Sequence, residues 1–158
     1  MLIKFLVDED FVNYKKCSMF IGFPYCTFKC DREANKPICQ NSSLAKQENI
    51  TADINNIYQR YINNPLTKAI VCGGLEPFES WEDLYSLIKL FRDNNCNADF
   101  VIYTGFNKDE IQDKVIELQK FQNIVIKFGR FIPDSQSKFD EVLGVTLASN
   151  NQYAEVIS

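Results

Sequence analysis

The sequence predicts an α/β protein built on a parallel β-sheet. Three observations predict it. Short apolar runs of strand length alternate with amphipathic stretches of helical period between residues 18 and 128. Glycine, proline or asparagine closes most of these runs. Residues capable of chemistry recur just after successive strands, where the ligands of parallel sheets gather. With 158 residues and a 46% hydrophobic composition, the chain fits a single domain, residues 1–158, large enough to bury about two thirds of its unfolded surface.

Residues 1–16 show no clear period and read as an irregular or edge element leading to Cys17. The run Ser18-Met19-Phe20-Ile21-Gly22-Phe23 is short, apolar and aromatic, which suits a buried strand ending at Pro24. A cysteine-bearing loop, about residues 24–41, starts at that strand's C-terminal end. Thr51 is placed to cap a helix reaching about Asn64, with Ile54, Ile57, Tyr58, Tyr61 and Ile62 along one face. Pro65 closes it. Residues 68–72 form a second buried strand, stopped by Gly73-Gly74.

Ser80-Trp81-Glu82-Asp83 opens the next helix with a capping pattern and acidic first-turn residues, and Leu84, Leu87, Ile88 and Phe91 face inward. Residues 100–104 are a third strand, broken at Gly105. Asn107 to Glu110 repeats a cap followed by a carboxylate and starts a helix carrying Ile111, Val115 and Leu118 on one side. Residues 124–128 are a fourth strand. A polar loop over residues 130–141 precedes two late strands at 142–147 and 153–157.

Composition narrows the function classes. A net charge of -4 argues against a surface built to neutralise phosphates, so a nucleic-acid role is not expected. No run of about 18 apolar residues is present, and the first eight residues turn acidic too early for a secretory signal. The expected location is the cytoplasm, with no membrane partner, where clustered thiols mean metal or catalysis more often than disulfides. The chain contains no histidine, which removes Ser-His-Asp and Cys-His catalysis and every zinc site that needs imidazole.

The most informative segment holds Cys26, Cys30 and Cys39. Inert packing is a common fate for cysteine, but Thr27, Lys29, Asp31, Arg32, Glu33, Asn35 and Lys36 leave little apolar surface to bury beside these three. Three thiolates can hold an iron-sulfur cluster with one iron left open, whereas a structural zinc normally takes four protein ligands. A noncatalytic zinc-binding module that adds Cys17 or Cys72 is the competing reading. Cys17, Cys72 and Cys96 have no partner spacing and are expected to be unligated.

At this point the chain resembles the radical S-adenosylmethionine enzymes. Their signature is three cysteines in a loop after the first strand and a Gly-Gly-Glu-Pro-like turn after the second. Here the cysteines are separated by three and then eight residues, where the common spacing is three and then two, and Leu75 interrupts Gly73-Gly74-Leu75-Glu76-Pro77. A longer spacer is tolerable because the chain between ligands can bulge outward. The resemblance implies a partial, incomplete parallel β/α barrel.

Within that superfamily the chain is similar to the activating proteins of anaerobic, glycyl-radical (class III) ribonucleotide reductases. The likeness rests on Phe23-Pro24-Tyr25-Cys26, Cys39-Gln40-Asn41, Tyr103-Thr104-Gly105-Phe106, Gly129-Arg130-Phe131-Ile132 and Ser149-Asn150-Asn151-Gln152. It implies that Cys26, Cys30 and Cys39 bind a 4Fe-4S cluster whose fourth iron takes S-adenosylmethionine. One electron, from a donor such as flavodoxin or ferredoxin, then yields methionine and a 5'-deoxyadenosyl radical, which abstracts hydrogen from a glycine of the reductase catalytic subunit. No catalytic side chain beyond the cluster and cosubstrate is implied.

The resemblance also implies cosubstrate contacts. Gly73 and Gly74 let their backbone approach the methionyl group, with carbonyls accepting from its ammonium, and Glu76 adds charge pairing. Ile38 packs near adenine, Thr104 meets ribose or methionine, and Lys127 meets the carboxylate. Asn150 and Asn151 lie where adenine or the target peptide binds. Tyr25, Phe28, Phe131 and Ile132 are candidates for the docking surface or for shielding the cluster. A radical enzyme acting on another protein or on a small molecule is the neighbouring alternative.

Overall fold

The computed structural model describes residues 1–158. The chain begins with β1 (Leu2–Ile3), β2 (Phe5–Asp10) and β3 (Ser18–Phe23). The cysteine loop then folds into two short helices, α1 (Lys29–Ala34) and α2 (Ser42–Ala45), before β4 (Ile50–Thr51). Helix α3 (Ile54–Ile62) leads to β5 (Ala69–Gly74), and a 3-10 turn at Pro77–Ser80 leads into α4 (Trp81–Asp93). After β6 (Asp99–Tyr103) come a 3-10 turn at Lys108–Ile111, α5 (Gln112–Leu118) and β7 (Ile124–Phe128). The chain ends with β8 (Lys138–Asp140), β9 (Val145–Leu147) and β10 (Tyr153–Val156).

The central sheet has six strands in the order β10-β7-β6-β5-β3-β2. Its inner four, β3, β5, β6 and β7, pair in parallel, while β2 and β10 run antiparallel at the two edges. Residues 1–16 therefore do supply an edge element, with a register irregularity between Val7 and Asp10 that suits an edge strand. The sheet does not close, because β2 and β10 each have one neighbour.

Side-chain alternation along each strand assigns two faces. Met19, Ile21, Ile70, Cys72, Phe100, Ile102, Ile124 and Ile126 share one core with Ile57 of α3, Leu84, Leu87, Ile88 and Phe91 of α4, and Val115 and Leu118 of α5. All three crossover helices thus cover the same face. Phe91 sits at its centre, with the rings of Tyr58, Tyr61 and Phe100 at 5.0, 5.3 and 5.2 Å in edge-on geometry. The other face carries Ala69, Val71, Val101 and Val125, and it is covered by a thinner layer of Tyr14, Leu143 and Leu147. That layer does not extend to the C-terminal ends of the strands, and a cavity opens there.

Several expectations shift by a few residues for identifiable reasons. Thr51 pairs with Leu2 in the β1–β4 ladder, so the cap of α3 falls to Asp53, whose carboxylate accepts the Asn55 N–H at 2.8 Å. Ile62 closes that helix exposed to solvent. Strand β5 runs through Gly73 and Gly74, because β3 supplies ladder partners as far as Phe23. Residues 142–144 form a turn ending at Gly144 with φ +73, which leaves only β9 as strand. At Asn107 the expected capping box is present, with Glu110 reaching back to the Asn107 N–H. No helix is long and apolar enough to cross a membrane.

Candidate metal centre

Cys26, Cys30 and Cys39 all line one cavity of about 620 Å³. Gly74, Glu76, Thr104 and Lys127 line its other walls. Strand ends put them there: Gly74 closes β5, Thr104 follows β6, and Lys127 lies near the end of β7 on the face opposite the helices. Cys17, Cys72 and Cys96 are off this wall, and Cys72 is fully buried within β5. A second, shallow groove between Asp8 and α3 is lined by polar residues and proline and contains no thiol.

Burial dominates the chemistry of the three thiols. It pushes Cys26 up to about 12, opposed by the Phe28 N–H that donates to its Sγ at 3.3 Å and reinforced by Glu76 and Glu79. Burial raises Cys30 as well, as does neighbouring Cys39, while the Phe131 N–H and the Arg130 charge pull it down. Cys39 is raised by burial, lowered by the Asn41 N–H and raised by Asp31. Cys26 Sγ thus accepts a backbone N–H, and all three thiols stay protonated at neutral pH until a metal displaces the proton.

Glu76 is only 6% exposed. Its Oε1 accepts from Thr104 Oγ1 at 2.8 Å and from the Phe78 N–H at 3.2 Å, and its Oε2 accepts from the Gly105 N–H at 2.9 Å. Burial lifts its pKa to about 7 against the pull of those donors. The Thr104 hydroxyl also accepts from the Phe106 N–H at 3.0 Å. Both residues expected to touch a cosubstrate are therefore engaged first in bracing the ends of β5 and β6. Lys127 is buried too, with Nζ donating to the Gly129 carbonyl at 2.9 Å. Burial depresses its pKa to about 8, while Glu76 and Cys30 draw it back upward.

The glycine pair divides. Gly74 lies on the wall with φ +83, and a Cβ there would sit 2.9 Å from Gly22 Cα, so only glycine fits. Its carbonyl accepts from Asn41 Nδ2 at 2.6 Å. Gly73 is off the cavity wall, and a Cβ there would press on the Phe20 ring at 3.1 Å. Ile38 is half-buried and also off the wall, while Leu44 of α2 supplies an apolar side chain from that segment. Asn151 Nδ2 donates to the Arg130 carbonyl at 2.9 Å, and Asn150 bonds Ser135, which leaves Gln152 as the wall residue of that stretch.

Several residues that carry no metal-site signal in the sequence hold the thiol loop in place. Helix α1 carries Cys30 but buries no residue. Charges fix it instead: Lys29 pairs with Glu110, Glu33 with Arg130 Nε at 3.1 Å, and Arg130 with Glu110 at 2.6 Å. Beside Cys26, the Thr27 hydroxyl and N–H both donate to Glu79 Oε1, at 2.6 and 3.0 Å. Each of these residues is an ordinary surface charge in the sequence, and only the tertiary pairing distinguishes it.

The donor set fits a cluster better than a single ion. Three cysteines share the cavity, one short of the four protein ligands a structural zinc normally takes. In a cluster each thiolate takes its own iron, so three thiols lining one cavity suit that chemistry.

The cavity, its thiols and the single-helix-layer sheet define a metal-binding α/β domain. Residues 14–154 match the family described as the 4Fe-4S single cluster domain, and the chain belongs to that family. It is an iron-sulfur protein with a 4Fe-4S cluster-binding domain. No curated relative and no solved structure matches the chain.

Proposed function

We propose that this protein is a radical S-adenosylmethionine activase that generates a glycyl radical on the catalytic subunit of an anaerobic ribonucleotide reductase. The observation that carries the reading is the sharing of one strand-end cavity by three thiols, the Gly74 turn, Glu76, Thr104 and Lys127. Cys26, Cys30 and Cys39 are the residues assigned to the cluster, and three ligands leave a fourth iron for a cosubstrate. Within this reading the open sheet with its helices on one face is a partial β/α barrel.

When bound, the cluster supplies one electron to the sulfonium of S-adenosylmethionine. The chain's own residues bind and orient. The Gly74 carbonyl has a second lone pair for the methionyl ammonium beyond the one used by Asn41. Lys127, held by the Gly129 carbonyl, offers a positive charge on the cavity wall for a carboxylate. Glu76 fixes the geometry of the turn by tying Thr104, Gly105 and Phe78. Phe131 and Leu44 line the cavity and limit water near the thiols. Exposed Tyr25 and Ile132 form the proposed rim for the glycine-bearing loop of the reductase, with flavodoxin or ferredoxin as the electron donor.

The zinc-module alternative needs a fourth donor, and its candidates, Cys17 and Cys72, do not line the cavity that holds the three thiols. The deciding experiment reconstitutes the protein anaerobically with iron and sulfide, reduces it, adds S-adenosylmethionine and the reductase subunit, and records electron paramagnetic resonance. The expected result is about four irons per chain, cleavage of the cosubstrate and a glycyl-radical doublet. Cleavage without a doublet rejects the reductase as target, and a colourless protein rejects the cluster assignment.

A further inference from the structure

We infer that Asp31 is the positioning residue that turns the long Cys30-to-Cys39 spacer into a cluster-binding geometry, closing it through the backbone before any metal arrives. The inference rests on the proposed assignment of Cys39 as a ligand. Eight residues separate the two thiols, and a flexible loop of that length has many conformations in which Cys39 lies far from Cys30.

The structure shows how the closure is made. Helix α1 stops at Asn35, which adopts a left-handed conformation with φ 52. The Asn35 N–H donates to the Arg32 carbonyl at 3.3 Å, and the Lys36 N–H donates to the Asp31 carbonyl at 3.2 Å. This reversal sends the chain back along the helix. The Asp31 side chain then receives it: Oδ1 accepts from the Ile38 N–H and from the Cys39 N–H, both at 2.8 Å.

Two adjacent backbone donors on one carboxylate oxygen are charge-assisted bonds, about twice as strong as neutral ones. The donor at Cys39 belongs to the proposed ligand itself, and the carboxylate belongs to the residue following Cys30. One side chain therefore links the second and third thiol positions with no residue of the spacer core-packed, since α1 and residues 35–39 contain no buried side chain. Ile38 is only half-buried, and the remaining ties of α1, from Lys29 to Glu110, from Glu33 to Arg130 and from Arg32 to Thr27, hold the helix and not the returning strand of the loop, which is next anchored past Cys39, where Asn41 donates to the Gly74 carbonyl.

The test compares the parent protein with D31A, D31N and C39S. Amide hydrogen exchange is measured first on the metal-free proteins. The Ile38 and Cys39 amides are protected in the parent, exchange roughly 10-fold faster or more in D31A, and regain most of their protection in D31N, whose side-chain oxygen still accepts. Amides of β5 and β6 stay unchanged in all variants, which separates loop opening from unfolding.

After anaerobic reconstitution, D31A binds fewer irons and shows a weakened or altered signal of the reduced cluster, and D31N recovers the parent signal. Unchanged exchange at Ile38 and Cys39 in D31A overturns the inference, as does a D31A protein with parental iron content and spectrum. C39S keeps the two failures apart. If it retains the full cluster, the assignment of Cys39 is wrong; if it loses the cluster while D31A does not, only the role of Asp31 fails.

Discussion

Thr104 donates its hydroxyl proton to Glu76 Oε1 at 2.8 Å, so the ends of two adjacent parallel strands, β5 and β6, share one buried carboxylate. The same carboxylate also takes the Gly105 and Phe78 N–H groups. The cavity wall beside the thiols is in this way a hydrogen-bonded unit in which the expected ligand contacts of both residues come second to their contacts with each other.

This arrangement makes stability depend on pH in a defined direction. Burial holds the folded Glu76 pKa at about 7, above the ordinary 4.5. Below about 4.5 both folded and unfolded chains keep the proton; as pH rises toward 7 the unfolded chain releases it first, and stability falls by at most roughly 1.4 kcal/mol per pH unit. In E76Q that slope between pH 4.5 and 7 should flatten. Denaturant melts across this range read it directly, and an unchanged slope rejects Glu76 as its source.

Glu110 acts with the opposite sign. Its bond to Arg130, helped by Lys29 and the Asn107 N–H, keeps its carboxyl at about 2, below the ordinary 4.5. The stabilisation is therefore complete above 4.5 and lost as pH falls from 4.5 toward 2. Because α1 depends on this carboxylate, its amides should lose protection before those of β5 and β6 as pH falls from 4.5 toward 2. R130M should reproduce the loss at neutral pH, and high salt should weaken the docking of α1 in the parent.

Serine at Cys26, Cys30 or Cys39 should each strip iron from the reconstituted protein and abolish cleavage of S-adenosylmethionine. Serine at Cys96 should leave both intact. Iron and sulfide content with product chromatography measure the contrast, and a Cys96 variant as poor as the other three contradicts the assignment.

G74A should destabilise the fold by about 1–3 kcal/mol, since alanine would have to adopt φ +83 and place its Cβ 2.9 Å from Gly22 Cα. Thermal melting gives the value. The strain falls on the β3–β5 pairing directly beside the thiol loop, so loss of iron retention should accompany the fall in melting temperature.

The strand and helix order was legible because each inner strand is a continuous apolar run and each crossover helix repeats at helical spacing; Phe91 with Ile88 and Leu84 is a clear case. Helix α1 was not legible: its four charged residues around Cys30 show no periodicity, and the ion pairs that fix it join partners up to 97 positions apart, as Glu33 and Arg130 do. At the site, the three thiols, Gly74, Glu76, Thr104 and Lys127 could be selected from the sequence, and all line one cavity. Gly73 and Ile38 do not, since the side chains of Phe20 and Tyr103 cover Gly73 on the cavity face and the Asp31 closure sets Ile38 off the wall. Asp31 itself carried no signal, because a carboxylate that collects backbone N–H groups seven and eight positions later looks like any solvated acid.

A helix that places no residue in either core gives up little buried hydrocarbon when it moves. For α1 the resistance to displacement comes from a handful of ionic ties and hydrogen bonds, so salt and acid act on the thiol-bearing loop before they act on the sheet beneath it.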